Sequence, residues 1–302
     1  MNEYDVIVVG AGPAGLTAAI YGARANKKVL VLEANTFGGQ IVSASCIENY
    51  PAIPHVSGYD FSKNLYDQVI DLGADVKFEK AIDADFESDI KKIVTEDNEY
   101  YCKAVILACG AHNRSLGLDN EKELIGKGVS YCASCDGAFY KNKVVAVNGG
   151  GNTALDDALY LSDICKKVYL IHRRDEFRGA IRTVNKLKKK ENVEFILNSN
   201  ITKIIGDDKL ESIEVTSTDG EVKALKVNGL FIAIGQVPET NNLTKDLEVD
   251  DNGYIVCGED TKTSIPKVYV AGDIRAKKLR QLTTAVSDGS VAMVMALEEL
   301  NQ

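Results

Sequence analysis

Two glycine-rich turns constrain this chain more than any other feature, because each interrupts an apolar run and opens a helical one. Val6-Ile-Val-Val9 leads directly into Gly10-Ala-Gly12-Pro13-Ala14-Gly15, and Lys143-Val-Val-Ala-Val147 leads into Gly149-Gly-Gly151-Asn152-Thr153-Ala154. A buried strand, a turn that glycine tolerates best, and a helix in immediate succession open a β-α-β unit. Residues 4–9, 13–25 and 28–32 read as strand, helix and strand, and residues 143–147, 152–163 and 167–171 repeat the cycle. The repeat predicts an α/β chain built from two Rossmann-like nucleotide-binding domains.

In the first turn, Gly10 permits the sharp reversal after the strand. Gly12 lets the backbone approach a pyrophosphate, and Gly15 lets the helix pack close to the sheet. The unpaired N–H groups and positive dipole end of the helix then face the phosphates. Glu33 closes the second strand; it suits paired ribose hydroxyls and repels a 2′-phosphate. The first site should therefore take FAD or NAD rather than NADP. A glycine pattern alone also fits a tight turn with no ligand, but strand, helix, strand and acid together favour a nucleotide. The second turn has no such acid. After residues 167–171 comes His172-Arg173-Arg174-Asp-Glu-Phe-Arg178. Arginine binds a 2′-phosphate through paired N–H donors, which points to NADPH. The plain alternative is a solvated basic turn.

Other segments fill in the layout. A helix is expected at 61–72 and a strand within Ala104-Val-Ile-Leu-Ala-Cys-Gly110. Runs near 193–197, 201–205, 210–217 and 229–234 should complete a smaller sheet. Lys267-Val-Tyr-Val-Ala-Gly272-Asp273 reads as one more strand ending in an acid, and residues 281–300 read as a terminal helix. An extra strand so late in the chain makes sense if the second fold is inserted into the first. The expected domains are 1–113 with 244–302, and 114–243 between them. The crossings should lie near 111–114 and 238–243, in polar stretches.

With 302 residues, 45% of them hydrophobic, the chain can bury one large core or two smaller ones. A net charge of −9 argues against nucleic acid, which needs a dense basic surface. No apolar run is long enough for a membrane span, and no leader precedes Val6, so the expectation is a cytoplasmic protein. There, thiols stay reduced. The seven cysteines are an odd number, against a disulfide framework. Cys102, Cys109, Cys165 and Cys257 read as small buried hydrophobes. Cys132-Ala-Ser-Cys135 stands apart as a CxxC pair. Zinc there would need a second ligand pair, and none is evident, so no metal ligand set is assigned. Two nucleotide sites and one dithiol suggest an electron relay.

Taken together, these motifs resemble the bacterial low-molecular-weight thioredoxin reductases. The resemblance runs essentially end to end. It rests on Gly10-Ala-Gly-Pro-Ala-Gly15, Gly38-Gly39-Gln40, Glu48-Asn49-Tyr-Pro51, Gly128-Val-Ser-Tyr-Cys132-Ala-Ser-Cys135-Asp136-Gly137, Gly149-Gly-Gly-Asn-Thr-Ala154, His172-Arg-Arg-Asp-Glu-Phe-Arg178, Ala233-Ile-Gly235, Ala271-Gly272-Asp273 and Arg280-Gln281. The resemblance implies FAD in the split domain, NADPH in the inserted one, a homodimer, and thioredoxin or a thioredoxin-like protein as partner. It places Gly38, Gly39, Gln40 and Asn49 along the flavin, Asp273 near its ribityl and phosphate chain, and Arg280 and Gln281 beside the ring. It makes Cys132 the thiol that attacks the partner and Cys135 the flavin-proximal thiol. Asp136 becomes the acid and base for the thiols, against the simpler role of capping a turn before Gly137. Cys109, Asn113 and Ser134 depart from the usual residues. The rival readings are a relative with another disulfide acceptor and a non-catalytic redox sensor. Because the dithiol and the NADPH turn share the inserted segment, that domain is expected to rotate against the other.

Overall fold

Val6, Ile7 and Val8 on the strand Glu3–Val9 are fully buried, as a central parallel strand covered on both faces requires. The computed structural model describes residues 3–44, 46–239 and 242–301. The chain divides into two compact units: one comprises residues up to His112 together with those from Val237 onward, the other Asn113–Gln236.

In the first unit, Glu3–Val9 is the middle of a seven-stranded sheet. It runs parallel to Val29–Leu32 on one side and to Glu99–Leu107 on the other. Glu99–Leu107 divides its far edge between two partners. Its first half is antiparallel to Lys91–Thr95, and its second half runs parallel to Val268–Val270. The late strand expected after Lys267 thus enters the sheet beside the run expected at 104–110, which starts earlier, at Glu99, and stops before Ala108-Cys109-Gly110. The helix expected from 61 begins at Gly58, because the Ser57 hydroxyl accepts the Asp60 N–H and caps it there.

The helix Pro13–Arg24 starts directly at the glycine turn, with Pro13 in its first turn. It packs against the terminal helix Leu282–Leu300, which begins in a reciprocal capping box between Gln281 and Thr284. Their close approach depends on Gly289, where an added Cβ would lie 2.1 Å from the Ala14 carbonyl oxygen. No helix among the described residues is long and apolar enough to cross a membrane.

In the second unit, Val144–Asn148 lies between Lys167–Ile171 and Gly229–Ile232, all parallel. Val193–Ile196 and Val129–Ser130 complete five strands. The runs near 201–205 and 210–217 do not join this sheet. Ser199–Ile205 pairs with Ser212–Ser217, which pairs in turn with Val222–Lys226, in a separate antiparallel sheet. That third strand lies largely in solvent: Val222 and Ala224 are exposed and only Leu225 of its five residues is buried.

Where the chain crosses, Ala111–Asn113 pairs with Gln236–Pro238. The second boundary lies at 236/237 rather than the expected 243/244. The reason is Leu243, which together with Leu247 is buried in a cluster with Leu107 and Val270 of the first unit. The expected crossing at 238–243 includes Thr240 and Asn241, which lie outside the described residues.

Gly289→Ala should separate the two helices and lower stability by about 1–3 kcal/mol, the usual cost of overpacking. Thermal unfolding checks this, and an unchanged Tm would show that the helices are not in backbone contact.

Candidate active site

At the carboxyl ends of the first unit's strands, a cleft of about 620 Å³ opens over the first glycine turn. That volume suits a bound dinucleotide or part of one. Of the expected residues, Gly10, Gly12, Pro13, Ala14, Glu33, Gly39, Gln40, Gly272, Asp273 and Gln281 line it. Gly12 faces open space, with nothing within 4 Å of where a Cβ would stand. A group can therefore come directly against the helix amino end. Glu33 is held from both sides: Ala11 N–H donates to one oxygen at 2.8 Å and Asn35 N–H to the other at 2.9 Å.

Gly15, Gly38, Asn49 and Arg280 do not line the cleft but build its walls. A Cβ on Gly15 would lie 1.9 Å from the Gly10 carbonyl oxygen. Gly38, at φ +99°, donates its N–H to Ala11 O at 2.7 Å. Asn49 Nδ2 donates to Gln281 Oε1 at 3.1 Å, fixing the side chain that does face the cleft. Arg280 donates to the Asp273 and Arg275 carbonyls at 3.1 and 2.9 Å and lies over the Tyr254 ring, its guanidinium carbon 3.8 Å from the centroid.

Asp273 is the unusual group. Its Oδ1 is buried without a hydrogen-bond partner; Lys277 Nζ is 3.4 Å away. Burial pushes its carboxyl above the ordinary range, and Lys277 offsets part of that. A buried, unsatisfied oxygen in a cleft wall is a place for a ligand's donor. Sequence reasoning missed what holds this corner. Asp288, on the terminal helix, accepts the Gly272 N–H at 3.0 Å, and it pairs with Arg275 and with Lys277 at 2.9 Å. An acid in the apolar middle of this helix, apart from Glu298 and Glu299 at its end, was the available signal. Cys109, expected to be a buried hydrophobe, is only half-buried and lines the cleft; desolvation pushes its thiol up to about 12.

In the second unit, Gly149 is at φ +155° and the helix Asn152–Ile164 starts at Gly151, which again faces open space. Thr153 is exposed and Ala154 is buried beneath the turn. Asn152 Oδ1 accepts the Ala180 N–H at 2.8 Å, and Arg178 N–H donates to Gly150 O at 2.8 Å, so the basic segment is tied to the turn. His172 is buried, stacks on Phe177 and lies against Gly150. Burial, with Arg173, Arg174 and Arg178 nearby, lowers its pKa, and its ring packs this corner. Arg173, Arg174 and Arg178 are exposed, and none forms an ion pair among the described residues.

Cys132 and Cys135 are joined as a disulfide, Cα atoms 5.3 Å apart, on the one-turn helix Ala133–Asp136. Asp136 makes no capping bond toward Gly137. Its carboxylate instead accepts the Ser130 hydroxyl at 2.6 Å, while Ser130 Oγ accepts the Cys132 N–H at 3.0 Å. Burial raises the Asp136 pKa, and the Ser130 bond opposes it. Ser130 was not singled out from sequence; its place two residues before the first cysteine was the only hint. Ser134 Oγ is 3.4 Å from Cys132 Sγ.

The sequence model for pyridine nucleotide-disulphide oxidoreductases matches residues 4–289. The chain is 42% identical over 303 residues to a thioredoxin reductase of Mycoplasma genitalium, across 98% of this chain and 95% of that protein. The chain belongs to this family. Within the pyridine nucleotide-disulphide oxidoreductases it falls among the low-molecular-weight thioredoxin reductases. A thioredoxin reductase from Listeria monocytogenes is 40% identical across 96% of this chain and 91% of its own length. The crystal structure of a thioredoxin reductase from Streptococcus pyogenes matches with a TM-score of 0.95 at 37% identity, covering 99% of both chains. A thioredoxin reductase from Giardia duodenalis gives 0.95 at 35% identity over the whole of both. The chain is an oxidoreductase that uses FAD and NADPH. Its residues fit both: an open glycine turn beside an orphaned buried carboxylate oxygen in one unit, and an open glycine turn beside unpaired arginines in the other.

Asp157, on the helix that follows the second turn, tests the electrostatics of this unit. Burial and the neighbouring Asp156 push its carboxyl up to about 7. A carboxyl whose folded pKa is raised adds stability below its unfolded pKa and loses it as pH rises through the folded one. Asp157→Asn should therefore have a higher Tm than the parent at about pH 8, with the gain vanishing near about pH 4. An equal difference at both would show that Asp157 titrates normally.

Proposed function

We propose that the first unit holds FAD, that the second holds NADPH, and that the Cys132–Cys135 pair passes electrons to the disulfide of thioredoxin or a thioredoxin-like protein. The observation that carries this reading is one disulfide whose Cys132 N–H is linked through the Ser130 hydroxyl to the half-buried Asp136 carboxylate, on the same unit as the arginine-flanked glycine turn.

In this reading Gly10, Gly12, Pro13, Ala14 and Gly15 cradle the FAD pyrophosphate, Glu33 takes the ribose hydroxyls, and Gly272 and Asp273 receive the ribityl and phosphate chain. Gly38, Gly39, Gln40, Asn49, Arg280 and Gln281 shape the ring side. Gly149, Gly151, Asn152, Thr153 and Ala154 cradle the NADPH pyrophosphate. Arg173, Arg174 and Arg178 select its 2′-phosphate, with His172 supporting the turn. Bound FAD supplies a two-electron carrier between a nicotinamide hydride and sulfur.

The chain's own thiols do the rest. Reduced Cys132, as thiolate, attacks one sulfur of the partner's disulfide, and the other partner sulfur leaves and takes a proton. Cys135 then attacks Cys132 Sγ, restores the internal disulfide and releases the second partner thiol. Asp136, its carboxyl biased toward the protonated form by burial, serves as proton store for the turn, with Ser130 as its positioning residue. The protein works as a cytoplasmic homodimer, its five remaining cysteines free. The inserted unit turns about the crossings to serve both nucleotide and partner.

Cys132→Ser and Cys135→Ser should each abolish NADPH-driven thioredoxin reduction while leaving flavin bleaching by NADPH largely intact. Normal thioredoxin turnover in either variant would overturn the assignment. Arg173→Ala should lose roughly tenfold or more in affinity for NADPH and little for NADH, since a charged hydrogen bond contributes about 1.5–3 kcal/mol. Steady-state kinetics with both nucleotides reads this, and an unchanged preference would make the arginines a solvated turn only.

A further inference from the structure

We propose that Cys46, Glu48 and His55 form a Zn²⁺-binding site of three protein ligands and one open position, separate from the redox dithiol. The backbone assembles it. Ile47 and Val56 form an antiparallel bridge, with Ile47 N–H donating to Val56 O at 2.7 Å and Val56 N–H returning to Ile47 O at 3.3 Å. In such a pairing Glu48 stands opposite His55, and Cys46 shares its face because side chains alternate along an extended segment. Ile47 points the other way and is buried, anchoring the pair. A second bridge, Tyr50 to Ile53, closes the tip, and Gly58 N–H donates to Ala44 O at 2.9 Å at the base.

The donor atoms converge. His55 Nδ1 is 3.2 Å from Glu48 Oε1 and 4.0 Å from Cys46 Sγ, and the three ligand atoms all lie within 4.8 Å of one another. Metal–ligand distances of about 2.0–2.3 Å in a tetrahedron place ligand atoms roughly 3.3–3.6 Å apart. Closing to that geometry needs side-chain movement of roughly 1 Å, and Glu48 and His55 are exposed and free to make it. A thiolate, an imidazole and a carboxylate form a borderline-soft set that prefers Zn²⁺ to Mg²⁺ or Ca²⁺. Binding releases the Cys46 thiol proton to solvent. The pattern matches no familiar zinc spacing, because His55 joins only through the hairpin.

The test uses the flavin-loaded enzyme in its oxidised form, so that the Cys132–Cys135 disulfide cannot compete for metal. Zn²⁺ is titrated against a chromophoric chelator in excess Mg²⁺. One equivalent should bind per chain, and Cys46→Ser and His55→Ala should each weaken binding roughly tenfold or more, as loss of a ligand demands. Cys257→Ser should bind like the parent. With Co²⁺ in place of Zn²⁺, a thiolate-to-metal band should appear in the difference spectrum and vanish in Cys46→Ser. Failure of the parent to take up one equivalent, unchanged affinity in both ligand variants, or a cobalt band that survives Cys46→Ser would overturn the site. These readouts are independent of thioredoxin reduction, so they stand or fall apart from the proposed activity.

Discussion

Both units depend on the same steric constraint, the passage of one strand's end over the carbonyl of its neighbour. A Cβ on Gly10 would lie 2.3 Å from Ala108 O, and a Cβ on Gly149 would lie 2.3 Å from Ala233 O. In each case the carbonyl belongs to the residue just after the adjacent parallel strand, Glu99–Leu107 in one unit and Gly229–Ile232 in the other. Both glycines have positive φ, so conformation and space exclude a side chain together. The following helix can start immediately only because this crossing is so tight. The clear space at Gly12 and Gly151 follows from it.

Much of this was legible in the sequence because it is local. A glycine turn and the apolar runs beside it are read within about twenty residues, and they place the parallel strands at the centre of each unit's main sheet. What was not legible depends on tertiary burial. In Val222–Lys226 the adjacent Ala224 and Leu225 break the alternation of a strand, and only Leu225 is buried. The unit boundary follows Leu243, whose core neighbours come from distant segments. At the sites, the glycines, Glu33, Asp273 and the cysteine pair carried recognisable spacing. Ser130 and Asp288 did not, since a serine or an aspartate is common and acquires meaning only from the groups that face it.

Asp136 and Asp273 show how burial is managed in two ways. Both carboxyls are pushed up by desolvation. Asp136 is steadied by a neutral hydroxyl, which donates to its carboxylate and offsets part of that shift. Asp273 sits beside Lys277, itself paired with Asp288, in a charged network that holds its turn in place. A neutral partner suits proton transfer, whereas a charged network suits a rigid wall.

The shared edge of Glu99–Leu107 also sets an order on biosynthesis. Its second half waits for Val268–Val270, and the helix Pro13–Arg24 waits for Leu282–Leu300, yet both partners leave the ribosome only after the entire inserted unit. The inserted unit can therefore fold cotranslationally while the first unit still has an unpaired strand edge and an uncovered apolar helix face. Such surfaces invite mispairing between nascent chains. The fold thus leaves these surfaces exposed to chaperones and aggregation throughout the interval between synthesis of Leu107 and of the terminal helix.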